Sequence, residues 1–212
     1  MAIRPTQPTA TVGVVEHGNS AVLVTVDAGS ELLDRRRVDL TNPPLPAHPY
    51  HHEGSWAVGR YLDTPWAKEI SLPDAVSLIE RVHEAAAEGA HEILNGLAIE
   101  ISEPIKNIAI RQCPALPPTI EARIADNRAQ TFADTVMYRM ALASAAEARA
   151  WSVHWYDRDK VFGDAQTALG TDIKGYLASM GRAVGPPWQA KHKLAAAAAI
   201  AFARHGTTPQ TS

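Results

Sequence analysis

The stretch TVGVVEHGNSAVLVTVDAGSELLDRRRVDL, residues 11–40, decides the fold. Thr11 to Glu16 and Ala21 to Val26 are apolar, β-branched runs of strand length. Leu32 to Leu40 makes a third run, bearing Arg35, Arg36 and Arg37. Two turn clusters separate them, His17-Gly18-Asn19-Ser20 and Asp27-Ala28-Gly29-Ser30, built from residues that tolerate the tight backbone of a hairpin. Turns this short leave no room for a crossover, so the three strands are expected to form an antiparallel meander.

Downstream, residues 41–70 hold many prolines, histidines and glycines and read as a long exposed loop of variable conformation, with at most a short strand near Trp56 to Tyr61. A helix is expected after Ser71, a natural N-cap, with Pro73 in its first turn and Asp74 at its positive end. Val76, Ile79, His83, Ala86, Ala90, Ile93 and Leu94 share one face of it, and Asn95-Gly96 ends or weakens it. Ile105 to Ile110 reads as a buried strand, expected to lie parallel to the first, and Pro114, Pro117 and Pro118 stop it. One long helix follows from Thr119 to Ala150, with Ile120, Ile124, Phe132, Val136, Met140, Ala143 and Ala146 as its apolar face. Trp151 to Tyr156 is a further strand. Val161 to Leu169, Ile173 to Met180 and Gln189 to Arg204 are helices, the last entered through the break Gly185-Pro186-Pro187-Trp188. The resulting order, β-β-β-α-β-α-β-α-α-α, predicts one mixed α/β domain over residues 12–205 between flexible tails at 1–11 and 206–212.

Composition narrows the function classes. At 212 residues with 46% hydrophobic content, a sizeable core is feasible. A net charge of -3 argues against a binder that works mainly by neutralising phosphates, though a local basic groove remains compatible. Cys113 is the sole cysteine, so no internal disulfide forms and a reducing, cytoplasmic location is expected. No signal peptide is visible, and the apolar run Leu194 to Ala203 is too short to span a bilayer.

The element order resembles the ribonuclease H-like fold and, in length and layout, the RuvC-type junction resolvases. The resemblance implies a mixed sheet with flanking helices. It also implies carboxylates at the end of the first strand, at the end of the fourth and on the final helix, holding magnesium ions that activate water against a phosphate. On this sequence the first acid is Glu16, in Val14-Val15-Glu16-His17-Gly18, or alternatively Asp27, in Val26-Asp27-Ala28-Gly29-Ser30. The second is Glu100, in Ala98-Ile99-Glu100-Ile101; were the strand Ile105 to Ile110, the equivalent place would fall near Arg111. On the final helix the family's aspartates are absent and His192, between Lys191 and Lys193, is the only ligand type. Glu16, Glu100 and His192 would then hold Mg or Mn, an imidazole favouring Mn. DNA or RNA is the implied partner, with no membrane. Two functions follow: a metal-dependent, nuclease- or resolvase-like protein with an altered site, or a catalytically silent binding or assembly module of the same fold.

Other clusters carry less. His48, His51, His52 and Glu53 are metal-ligand types at a spacing that matches no metal motif, and no bound metal is expected at His51 or His52. Arg35, Arg36 and Arg37 alternate across a strand and have Asp34 and Asp39 as partners. Trp151 and Trp155 suit core and sheet face. Ala195 to Ala199 suits close packing on the sheet or on a partner chain, a homodimer included. No Walker-type loop or G-x-S-x-G elbow is present.

Overall fold

A computed structural model describes residues 9–203; the expected C-terminal tail and most of the N-terminal one lie outside the described residues. Strands β1 (Ala10–His17), β2 (Ser20–Asp27) and β3 (Leu32–Asp39) form the expected meander, β1 beginning two residues before the 12–205 span. β1 pairs antiparallel with β2, and β2 with β3. β4 (Ile105–Arg111) joins β1 in parallel, and β5 (Ser152–Tyr156) joins β4 in parallel. The sheet order is β3-β2-β1-β4-β5. Helix α1 (Ser55–Ala57) is a single turn; α2 (Leu72–Glu100), α3 (Ile120–Ala125), α4 (Asn127–Glu147), α5 (Val161–Leu169), α6 (Ile173–Val184) and α7 (Ala190–Phe202) complete the chain. This is the α/β architecture that the ribonuclease H-like resemblance implies: a mixed five-stranded sheet with helices on both faces.

The pleat explains the two cores. Val12, Val14, Leu23, Ile108 and Ile110 point to one face and meet α2 and α4 through Ile79, Val82, Leu94, Met137 and Leu142. Val15, Val22, Val24 and Ala109 point to the other and meet α5, α6 and α7. Ala195 to Ala199 are all buried in this second core, so the alanines serve packing within the chain. Gly13 makes the approach possible, because a Cβ there would overlap the Ala195 carbonyl oxygen.

Helix α2 is capped as expected: the Ser71 hydroxyl accepts from the Asp74 N–H at 3.2 Å. It runs through Asn95-Gly96 to Glu100, because Leu94 and Leu97 are both buried and tertiary packing overrides one weak helix former. Two expectations are corrected. Thr119 to Ala150 is two helices, not one. Asp126 is extended (φ -89°, ψ 114°), and its carboxylate accepts from the N–H groups of Arg128 and Ala129 at 2.8 and 3.0 Å, starting α4 afresh. The break resets the helical phase. Ala133, Met137, Tyr138 and Leu142 face the core together with the expected Ala143 and Ala146, while Phe132 and Met140 are exposed and Val136 is half-buried. The second correction concerns residues 41–70. There is no strand near Trp56. Tyr50–Gly54 form a π-helical turn leading into α1, and Tyr50, Gly54, Ser55 and Trp56 are buried. The Asp134 carboxylate of α4 fastens this segment by accepting from the N–H groups of Tyr50 and His51 at 2.9 and 3.1 Å.

Candidate functional site

The carboxyl ends of parallel strands leave a crevice where an α/β sheet presents backbone ends and connecting loops. Here β1, β4 and β5 end together, and a cleft of about 890 Å³ opens there. Its floor is Glu16 and His17 from β1, Arg111, Gln112 and Cys113 from the end of β4 onward, and Tyr156 to Asp159 from the end of β5 onward. Asp134 and Arg139 of α4 form one wall, Ala190, Lys191 and Leu194 of α7 another, and His48 and His51 a third.

The centre of the floor is an ion pair. Glu16 sits at the end of β1, on the α4 side of the sheet, and its Oε1 accepts from Arg139 Nη2. Both side chains are nearly sealed, 4% and 5% exposed. Arg139 Nη1 also donates to the Gln112 carbonyl at 2.7 Å, tying the end of β4 to α4. Glu16 Oε2 and Arg139 Nε have no protein partner among the described residues. Arg111, Arg158 and Lys191 line the same cleft, together with Asp157 and Asp159; Asp157 lies 3.8 Å from Lys160.

Titratable groups in the walls are shifted by their surroundings. Burial raises Asp134 to about 7, against the opposing pull of its two backbone N–H donors. Burial lowers His48, and the neighbouring His52, His51 and His17 lower it further. Burial and His52 lower His51. The Cys113 thiol is pushed up by burial, although Arg139 beside it pulls the other way.

The sequence-derived candidates do not converge. Asp27 pairs with Ala10 and Glu16 with Ala21, so the two acids lie at opposite ends of β1, roughly 20 Å apart. Asp27 caps its own turn, accepting from the Glu31 N–H at 2.8 Å. Glu100 ends α2, its side chain 61% exposed and 2.8 Å from Arg36, which also holds Asp34 at 2.7 Å. Arg36 on β3 points to the α2 face, and Arg37 reaches Asp39 at 3.5 Å. His192 is turned away from the cleft. It closes a capping box with Gln189, whose N–H donates to Nδ1 at 3.2 Å, and it stacks on Trp188 at 5.9 Å. Burial and Arg35 lower its pKa.

The resemblance implies magnesium or manganese held by Glu16, Glu100 and His192. Of the three proposed ligands, Glu16 accepts from a guanidinium, Glu100 faces Arg36 at the far end of α2, and His192 accepts from backbone. No three His, Cys, Asp or Glu side chains among the described residues gather as a metal set. The residues present do not fit a carboxylate-held ion. No helix among the described residues is long and apolar enough to cross a membrane.

Sequence reading missed Arg139 and Asp134, because both sit inside a helix whose phase was misjudged. A signal was available: Ala129, Ala133, Met137 and Leu142 form an alternative face on which Asp134 and Arg139 become inward polar residues, a placement that asks for a partner.

No family model and no curated protein matches this chain. Among solved structures, it is similar to a Thermus thermophilus RuvC in complex with Holliday junction substrate, at 17% identity and TM-score 0.46, over 94% of this chain and 97% of that one. It is also similar to a second Thermus thermophilus RuvC structure, at 16% identity and TM-score 0.43, over 94% of this chain and 98% of that one.

Proposed function

We propose that this protein is a catalytically silent nucleic-acid-binding module of ribonuclease H-like architecture, working in the cytoplasm with DNA or RNA. The observation that carries the reading is the buried Arg139–Glu16 pair. At the strand end where the resemblance asks for the first metal-binding carboxylate, a guanidinium from α4 already neutralises the acid. Displacing it would leave an uncompensated buried cation. The same cleft is lined by Arg111, Arg158 and Lys191, cations suited to phosphate oxygens. Binding without hydrolysis follows from that combination.

The test is a pair of assays on branched, duplex and single-stranded DNA and RNA. Fluorescence anisotropy at low salt is expected to show binding that weakens in Lys191→Glu and Arg158→Glu. Incubation with Mg or Mn is expected to leave every substrate intact. Manganese-dependent cleavage abolished by Glu16→Gln, Glu100→Gln or His192→Ala would overturn the reading in favour of a nuclease.

A further inference from the structure

The segment from His51 to Trp66 carries a set of rings in mutual contact. His52 lies parallel to Trp56, with an interplanar angle of 8° and centroids 6.0 Å apart. Trp66 is 5.5 Å from His52 and 6.0 Å from Trp56. Tyr61 is 6.5 Å from Trp66 and 6.4 Å from His51. This is not a core cluster. Trp66 and Tyr61 are 51% and 44% exposed, and Leu62 beside them is exposed as well. Large apolar side chains clustered at the surface mark an interaction site more often than scattered ones do.

Three further features point to a ligand. Tyr61 holds a left-handed backbone, φ 60°, which a bulky residue adopts only when its surroundings enforce it. Its neighbours enforce it: the Arg60 guanidinium donates to the carbonyls of Ile124 and Ala125 at 3.3 and 2.7 Å, and the Thr64 hydroxyl donates to the Tyr61 carbonyl at 2.6 Å. Trp56, only 8% exposed, has an indole N–H without an acceptor among the described residues. Finally, the shelf is continuous with the cleft, because His51 and His48 line the cleft and also touch His52.

We infer that this shelf stacks the unpaired bases of a single-stranded nucleic acid whose phosphates lie in the adjoining cleft, an inference that rests on the nucleic-acid reading above. Every base has a π-face for Trp66 and Tyr61, and stacking is tolerant of sequence. A duplex hides those faces, so unpaired nucleotides are selected. Sugars also pack on Trp and Tyr, but a neutral glycan would leave Arg111, Arg158 and Lys191 unused. These cations line the cleft that His48 and His51 share with the shelf, and they favour a polyanion.

The experiment titrates the full chain with labelled oligothymidylate of about 16 nucleotides and with an abasic strand of equal length. Cellohexaose serves as the glycan probe. Oligothymidylate is expected to bind at least ten-fold more tightly than the abasic strand. Trp66→Ala and Tyr61→Ala are each expected to weaken oligothymidylate binding by about ten-fold, leave abasic binding unchanged, and keep the wild-type circular dichroism. Trp66→Phe, which keeps a ring, should retain most of the affinity. Equal binding of the two strands, with loss only in Lys191→Glu, would discard the shelf and leave the nucleic-acid reading standing. Failure of both strands to bind would remove both. Cellohexaose binding lost in Trp66→Ala would reassign the shelf to glycans and overturn the inference.

Discussion

Arg139 and Glu16 are the pair on which both stability and the character of the cleft depend. Each is desolvated, and each is the other's main compensation. Arg139→Ala therefore leaves a buried carboxylate alone and is expected to lower the unfolding free energy by about 3–5 kcal/mol. Glu16→Leu combined with Arg139→Met, which removes both charges at similar volume, should recover most of that loss. Urea unfolding of the three proteins checks it, and a single substitution costing under ~1 kcal/mol would show that the pair is not the compensation described. At this scale the sequence was half legible. Glu16 was selected because it ends the first strand, and it does line the cleft. Its partner was invisible, since a contact spanning 123 positions leaves no local pattern. Asp27 and Glu100 match the local motif and strand-end position that the resemblance asks for, but a local match does not fix which end of the sheet a side chain occupies.

Among the elements, the π-helical turn at Tyr50–Gly54 concentrates imidazoles. The His52 ring lies 5.7 Å from His48 and 5.4 Å from His51, and each of the three has its pKa lowered, chiefly by burial. The unfolded chain therefore binds more protons than the folded one as pH falls below about 6.5, and stability is lost in that direction. Asp134 acts oppositely: raised to about 7, it takes up its proton earlier in the folded state and adds stability as pH falls from there. A His48→Gln/His51→Gln double variant is expected to gain stability relative to wild type between pH 7 and 5; thermal unfolding across that range reads it, and a constant difference would contradict it. The packing of α7 gives a second test. Gly13→Ala forces a methyl group into the Ala195 backbone, so α7 must lift from β1, with an expected loss of about 1–3 kcal/mol or more. The meander, β4, β5 and the Ser71 cap were legible because they rest on period-two patterns, turns and capping chemistry. The split at Asp126 was not, because an aspartate inside an apolar periodicity reads equally as a surface residue until its two N–H donors are seen. The turn at residue 50 was masked by a Pro-rich composition, although Tyr50 and Trp56 are buried.

For the molecule as a whole, the order β3-β2-β1-β4-β5 brings three strand ends to one rim and leaves the remaining candidates elsewhere. Millimolar Mg or Mn is expected to leave the melting temperature within about 1 °C of its metal-free value, since a ligand that does not bind the native state cannot stabilise it. A saturable rise of several degrees would restore the metal reading. The fixed guanidinium on α4 has a broader consequence. A bound divalent ion is a counter-ion that can be withdrawn, so a site depending on one is silenced by chelators and rescaled by every change in free magnesium. A counter-ion carried on the chain has an effective concentration set by the fold and no dissociation step. Nucleic acid held over it should show the same affinity in EDTA as in equivalent monovalent salt, and should respond to ionic strength through the strand's own counter-ion atmosphere alone.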